Sequence, residues 1–151
     1  MTGQRSGGVS KRARARRCAL QALYQWQLAG GEAPQVLREF VADRETGNAD
    51  QGLLDHLVNG VVAHAVDLEE SLNAVLDRRL GDLDPVERVV LLLGAYELKY
   101  CPEVPWRVAI NEAIDLEKMF GAEEGHRFVN NALDRLARVL RPVEAATATQ
   151  V

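Results

Sequence analysis

The sequence predicts an all-α protein of six or seven helices, arranged as two helical halves that meet near residue 82. Three observations carry that reading. Apolar residues recur at steps of three and four over long stretches, which puts them on one face of a helix. Starting and stopping residues stand where those patterns begin and end, as at Gly30-Gly31, Asp84-Pro85, Gly121 and Pro142. No stretch alternates apolar and polar residues as a half-buried strand would. The expected boundaries are a disordered lead over 1–9, a helical body over 10–141 with halves of about 10–80 and 84–141, and a flexible tail over 142–151.

The first helix grows out of an arginine-dense run, Ser10-Lys11-Arg12-Ala13-Arg14-Ala15-Arg16-Arg17, with Ser10 as its cap. At 100° per residue Ala15, Ala19, Ala22 and Trp26 form one stripe with Leu23 beside it. Arg14, Arg17, Gln21 and Tyr24 fall on roughly the opposite side. Arginine forks onto phosphate and an aromatic ring stacks on a base, a combination suited to single-stranded RNA. A solvated basic helix end, with Tyr24 tipped towards the core, is the plainer alternative. Arginines in a first turn oppose the helix dipole, so this end should order best on an anion.

Gly30-Gly31 stop that helix, and Pro34 suits the first turn of a short second one carrying Val36, Leu37, Phe40 and Val41. A polar loop over 43–49 follows. Asp50 then caps a long helical pattern through Leu54, Leu57, Val58, Val61, Ala65, Leu68, Leu72, Val75 and Leu76. Asp84, Pro85 and Glu87 occupy the cap, first and third positions of the next helix, a capping-box variant. Its run Val89–Tyr96 is apolar nearly all round, as in a buried central helix. Another helix spans about Trp106 to Phe120, and Gly121 stops it. The last covers about 122–140 on Val129, Leu133, Leu136 and Leu140. Phe128 lies some 100° off that stripe, beside Glu124, Asn131 and Arg135, as a second outward aromatic or a satellite of the core.

Composition bounds the function. The 151 residues are 47% hydrophobic and 26% charged, as in a globular domain. The net charge is -4, yet residues 1–17 hold six basic residues and no acid, leaving the remaining 134 at -10. Such asymmetry marks a basic arm for nucleic acid on an acidic body. Cys18 and Cys101 form no metal-binding or paired-cysteine pattern and read as packed thiols. His56 and His64 are eight residues apart, too far for a helical metal pair. No apolar run reaches the ~20 residues of a membrane span and no signal-peptide pattern opens the chain, so the cytoplasm is expected. Phosphate-binding loops, dinucleotide-binding glycines and hydrolase or zinc-protease motifs are absent. No seat for catalysis is visible, and neither cofactor nor metal is expected.

Several strings together resemble the family of the transcription antitermination factor NusB. They are Arg14–Tyr24, Pro85-Val86-Glu87-Arg88, Gly94-Ala95-Tyr96-Glu97-Leu98, Val104-Pro105, Ile110-Asn111-Glu112-Ala113, Phe120-Gly121 and Phe128-Val129-Asn130-Asn131-Ala132-Leu133-Asp134. They run in family order and spacing from about residue 12 to 140. The resemblance implies two three-helix bundles and an RNA-binding adaptor, not an enzyme. It implies binding of the boxA element of nascent ribosomal RNA leaders and antiterminator transcripts. It further implies partnership with NusE, a small-subunit ribosomal protein, in a complex on RNA polymerase. By position, Lys11, Arg12, Arg14, Arg16 and Arg17 would hold phosphates, Tyr24 and Phe128 would contact RNA, and Glu124 would lie nearby. Glu87 would meet NusE, although its place in the helix cap gives it a structural job too. Asn131 stands where the family usually has Gly. Homodimerisation over the partner-binding faces stays open. Two other roles are weighed: an accessory to an RNA cytosine methyltransferase, and a protein-interaction module working through the acidic body.

Overall fold

The computed structural model describes residues 10–43 and 46–149, all of whose regular structure is helical. The lead expected over 1–9 lies outside the described residues. The helices are α1 (Lys11–Ala29), α2 (Ala33–Asp43), α3 (Gln51–Ala63), α4 (Ala65–Asn73), α5 (Pro85–Tyr100), α6 (Trp106–Phe120), α7 (Gly125–Leu140) and α8 (Pro142–Thr149), with one 3₁₀ turn at Leu80–Asp82. The chain divides into two compact units, one up to Asn59 and one from Gly60. Gly81–Pro85, the strongest punctuation in the sequence, is a helix start inside the second unit.

In the first unit α1 packs on α2. Ala15, Ala19, Leu20, Ala22 and Leu23 of α1 are buried, as are Val36, Leu37 and Phe40 of α2 and Leu53, Leu54, Leu57 and Val58 of α3. Each fully buried Leu or Phe contributes on the order of 2 kcal/mol through apolar area removed from water. Ser10 caps α1, its hydroxyl accepting from the Ala13 amide at 2.9 Å. Asp50 caps α3, its carboxylate accepting from the Leu53 amide at 3.0 Å. Trp26 is only half-buried, and its indole donates to the Gly31 carbonyl at 3.0 Å, closing the turn in which Gly30 takes φ 77°.

In the second unit α5, α6 and α7 pack against one another, with α4 on α5 and α7 and α8 on α7. Val89 through Leu98 of α5 are buried without a break, as befits a central helix. Gly60 lets the Tyr96 ring approach: a Cβ there would lie 2.2 Å from the ring. Asp84 caps α5 by accepting from the Val86 and Glu87 amides. The reciprocal bond of a capping box is not made, because Glu87 turns towards the start of α7 instead. Lys99 donates to Asp67 at 2.8 Å and to Ser71 at 3.0 Å, and the Tyr100 hydroxyl donates to Asp67 as well.

Two elements differ from expectation. The long pattern from Leu54 to Leu76 breaks at His64, whose backbone leaves helical geometry at φ -109°, ψ 19°. Its ring stacks on Tyr100 with centroids 4.1 Å apart. Pro142 does not release the chain into a loose tail; it opens α8, where a missing N–H costs nothing. Arg141, directly before it, donates to the carbonyls of Glu97, Leu98, Cys101 and Val104 and to Glu144. Glu144 in turn accepts from the Trp106 amide at 2.9 Å, and Ala145 is buried.

Candidate nucleic-acid interface

The basic residues of α1 divide into outward and inward groups. Lys11 and Arg12 are exposed, and Arg17 is half-exposed. Arg12 lies 3.9 Å from Asp50 with both side chains substantially open to water, a pair worth under about 1 kcal/mol. Its guanidinium is easily redirected to a phosphate. Arg14 is half-exposed and lies over Gly47, where its Cδ would stand 3.5 Å from a Cβ. Its Nε is buried without a hydrogen-bond partner. Arg16 departs from expectation, being only 5% exposed. The cause is periodicity: Arg16 stands on the same side of the helix as Leu20 and Leu23, both buried. Arg17, Gln21 and Tyr24 do share an accessible side, with Tyr24 classed among the exposed aromatics.

The second unit presents its own surface at the start of α7. Glu124 occupies the cap position, makes no capping bond and lies 3.7 Å from Arg127, both largely open to water. Phe128 is half-buried, and the guanidinium carbon of Arg78 stands 5.4 Å from its ring centroid, within cation–π range. Sequence reading missed Arg78, whose one signal was the paired Arg78-Arg79 before the 3₁₀ turn. Asn131, in place of the family's Gly, is exposed, and its carbonyl accepts a long bond from Arg135 at 3.4 Å.

Glu87 is half-buried on α5. Burial raises its carboxyl above the ordinary value, nearby Asp84 adds to the rise, and Arg78 opposes it. Glu117 on α6 was also missed. It is 1% exposed, and burial pushes its carboxyl up to about 7, with Glu87 and Asp84 pushing the same way. The Ala122 backbone, which favours the charged form, does not reach hydrogen-bond geometry. Neither oxygen has a partner. Among the described residues no group of His, Cys, Asp and Glu is arranged to hold a metal ion, and no helix is long and apolar enough to cross a membrane. Cys18 and Cys101 are buried free thiols.

Fold and surfaces together define an all-helical protein that offers arginine, aromatic and acidic side chains at helix starts. The chain belongs to the NusB family, which it matches over residues 13–138. It is 50% identical over 133 residues to the transcription antitermination protein NusB of Xylella fastidiosa (strain 9a5c), covering 88% of this chain and 85% of that one. It is 45% identical over 143 residues to the protein of the same name from Hahella chejuensis, covering 95% and 96%. Among solved structures, T. maritima NusB is 28% identical with TM-score 0.79, covering 92% of this chain and 98% of that one. A NusB chain in a crystal structure of the antitermination factors NusB and NusE with double-stranded RNA is 27% identical with TM-score 0.77, covering 85% and 97%.

Proposed function

We propose that this chain is a transcription antitermination factor that binds single-stranded boxA RNA of nascent ribosomal leader transcripts together with NusE, in the cytoplasm, within an RNA polymerase-associated complex. The observation that carries the reading is its likeness, at 45–50% identity over most of their length, to proteins named for transcription antitermination. The solved NusB–NusE–RNA complex supports RNA and NusE as the two partners. In this reading the working body spans residues 10–141. Lys11, Arg12, Arg14 and Arg17 hold phosphates, while Tyr24 and Phe128 stack on bases. Arg16 has its head group buried and supports the helix instead. Glu124 flanks the Phe128 surface, and Glu87 meets NusE.

The test is binding of boxA RNA, a scrambled strand and a duplex of equal length at fixed salt, each with and without NusE. Tighter binding to single-stranded boxA, strengthened by NusE, is the expected result. Equal binding to all three RNAs, unchanged by NusE, would leave a basic helix end on a family fold and would overturn the reading.

A further inference from the structure

Glu117 is a buried carboxyl for which the reading above has no use. The room for it exists because residues 121 and 125 are glycine. A Cβ at Gly121 would lie 2.2 Å from Glu117 Oε2, and one at Gly125 would lie 2.0 Å from the same oxygen. Glu87 Oε2 would be 3.0 Å from that second Cβ. Two carboxyls, one from α6 and one from α5, therefore converge on the first residue of the helix that carries Phe128. A third acid, Asp84, stands at the cap of α5 and acts on both. The cation acting on Glu87 is Arg78, which precedes α5. On α7, Glu124 is exposed beside Arg127, and His126 is half-buried with its Nδ1 unpartnered.

Two neighbouring carboxyls do not both ionise cheaply, and a group with neither water nor a donor resists charge most. Glu117 is 1% exposed, whereas Glu87 is half-exposed. A basic side chain arriving at Glu87 would offset the repulsion between them and make the ionised form of Glu117 less costly. We propose that Glu117 is a positioning residue for the Glu87 contact, so that docking of a basic side chain of NusE on Glu87 is coupled to release of a proton from Glu117 to solvent. The inference rests on the reading that Glu87 meets NusE.

The coupling has a definite sign. A complex that binds fewer protons than its free components tightens as pH rises. Each unit by which docking lowers the Glu117 value strengthens binding tenfold once pH exceeds the free value. NusE affinity should therefore rise roughly threefold to tenfold between pH 6 and 8. Titration calorimetry of NusE with the full chain, in two buffers of different ionisation enthalpy, counts the protons released. Glu117→Gln keeps the size of the protonated side chain, so it should still bind NusE while losing that pH dependence and proton release. Glu87→Gln should weaken binding throughout. An unchanged pH profile and proton count in Glu117→Gln, with Glu87→Gln weakened, would overturn the coupling and leave the contact standing. Unchanged binding by Glu87→Gln would overturn the contact and the coupling with it. Should Glu117→Gln fail to fold, carboxyl NMR titration of wild-type Glu117 with and without NusE decides. A lower midpoint in the complex supports the proposal, and an unmoved one refutes it.

Discussion

Replacing Arg141 with methionine should destabilise the second unit more than any change on the α1 surface. The Arg141 side chain is 8% exposed and its donors are all engaged with oxygen acceptors. Its Nε donates to Leu98 at 2.9 Å, one terminal nitrogen to Val104 at 2.7 Å and Glu144 at 3.1 Å, and the other to Glu97 and Cys101 at 3.0 Å. Three of those carbonyls belong to the last turn and cap of α5, and those of Glu97 and Cys101 also accept backbone amides, from Cys101 and Val104. A bond to a charged group contributes about 1.5–3 kcal/mol, and five added naively would account for the whole of the ~5–15 kcal/mol that holds a domain together, which no single side chain does. Water reaching the freed carbonyls and the retained methylene packing of methionine reduce the loss to about 3–5 kcal/mol. For a chain of this length that is a fall in melting temperature of roughly 10 °C. Urea and thermal unfolding followed by circular dichroism would measure it. Arg141→Lys, which keeps the charge but not the fork, should fall between the two. A loss below about 1 kcal/mol for Arg141→Met would refute the assignment of α8 anchoring to this side chain.

Other outcomes follow from the same geometry. Glu117 has a folded value of about 7 against an ordinary 4.5, so the folded state binds more protons between those values and stability falls as pH rises through that window. The loss totals about 3 kcal/mol. Glu117→Gln should therefore gain on wild type between pH 5 and pH 8 in parallel urea titrations; parallel curves would show that the carboxyl ionises freely. Gly60→Ala drives a methyl into the Tyr96 ring and should cost about 1–3 kcal/mol by chemical denaturation, largely recovered in combination with Tyr96→Leu. Arg12→Ala should reduce the salt slope of RNA binding by about one unit with little change in stability. Arg16→Ala should do the reverse, because its head group is buried.

Local chemistry made most of the helices readable from the chain alone. Ser10, Asp50 and Asp84 cap helices as their residue types demand, and Gly30 and Gly121 end them. The break at His64 was not readable, because Val61, Ala65 and Leu68 continue the apolar repeat straight across it. What distinguishes that position is its stacking on Tyr96 and Tyr100, the latter 36 residues later. Helix α8 was hidden for a similar reason, since Pro142 both ends one helix and begins the next, and what holds the second is Arg141 reaching back to α5. Arg16 is a different kind of miss. The arithmetic that placed Tyr24 outside places Arg16 with Leu20 and Leu23, but its charge argued for the surface. Glu117 and Arg78 gained meaning only from neighbours distant in sequence: Gly125 and Glu87 for one, Phe128 for the other.

The chain's two tryptophans fall one to each unit. Trp26 is half-buried, its indole N–H held by the Gly31 carbonyl. Trp106 is 3% exposed, with the Arg107 guanidinium 4.6 Å from its ring. The molecule thus carries a built-in fluorophore in each half, a wetter one that should emit further to the red and a drier one to the blue. Replacing either with phenylalanine leaves a single-colour report on the other half. If the two report the same midpoint, the halves melt as one cooperative body. If they part, the two halves unfold as separate units and each has its own stability.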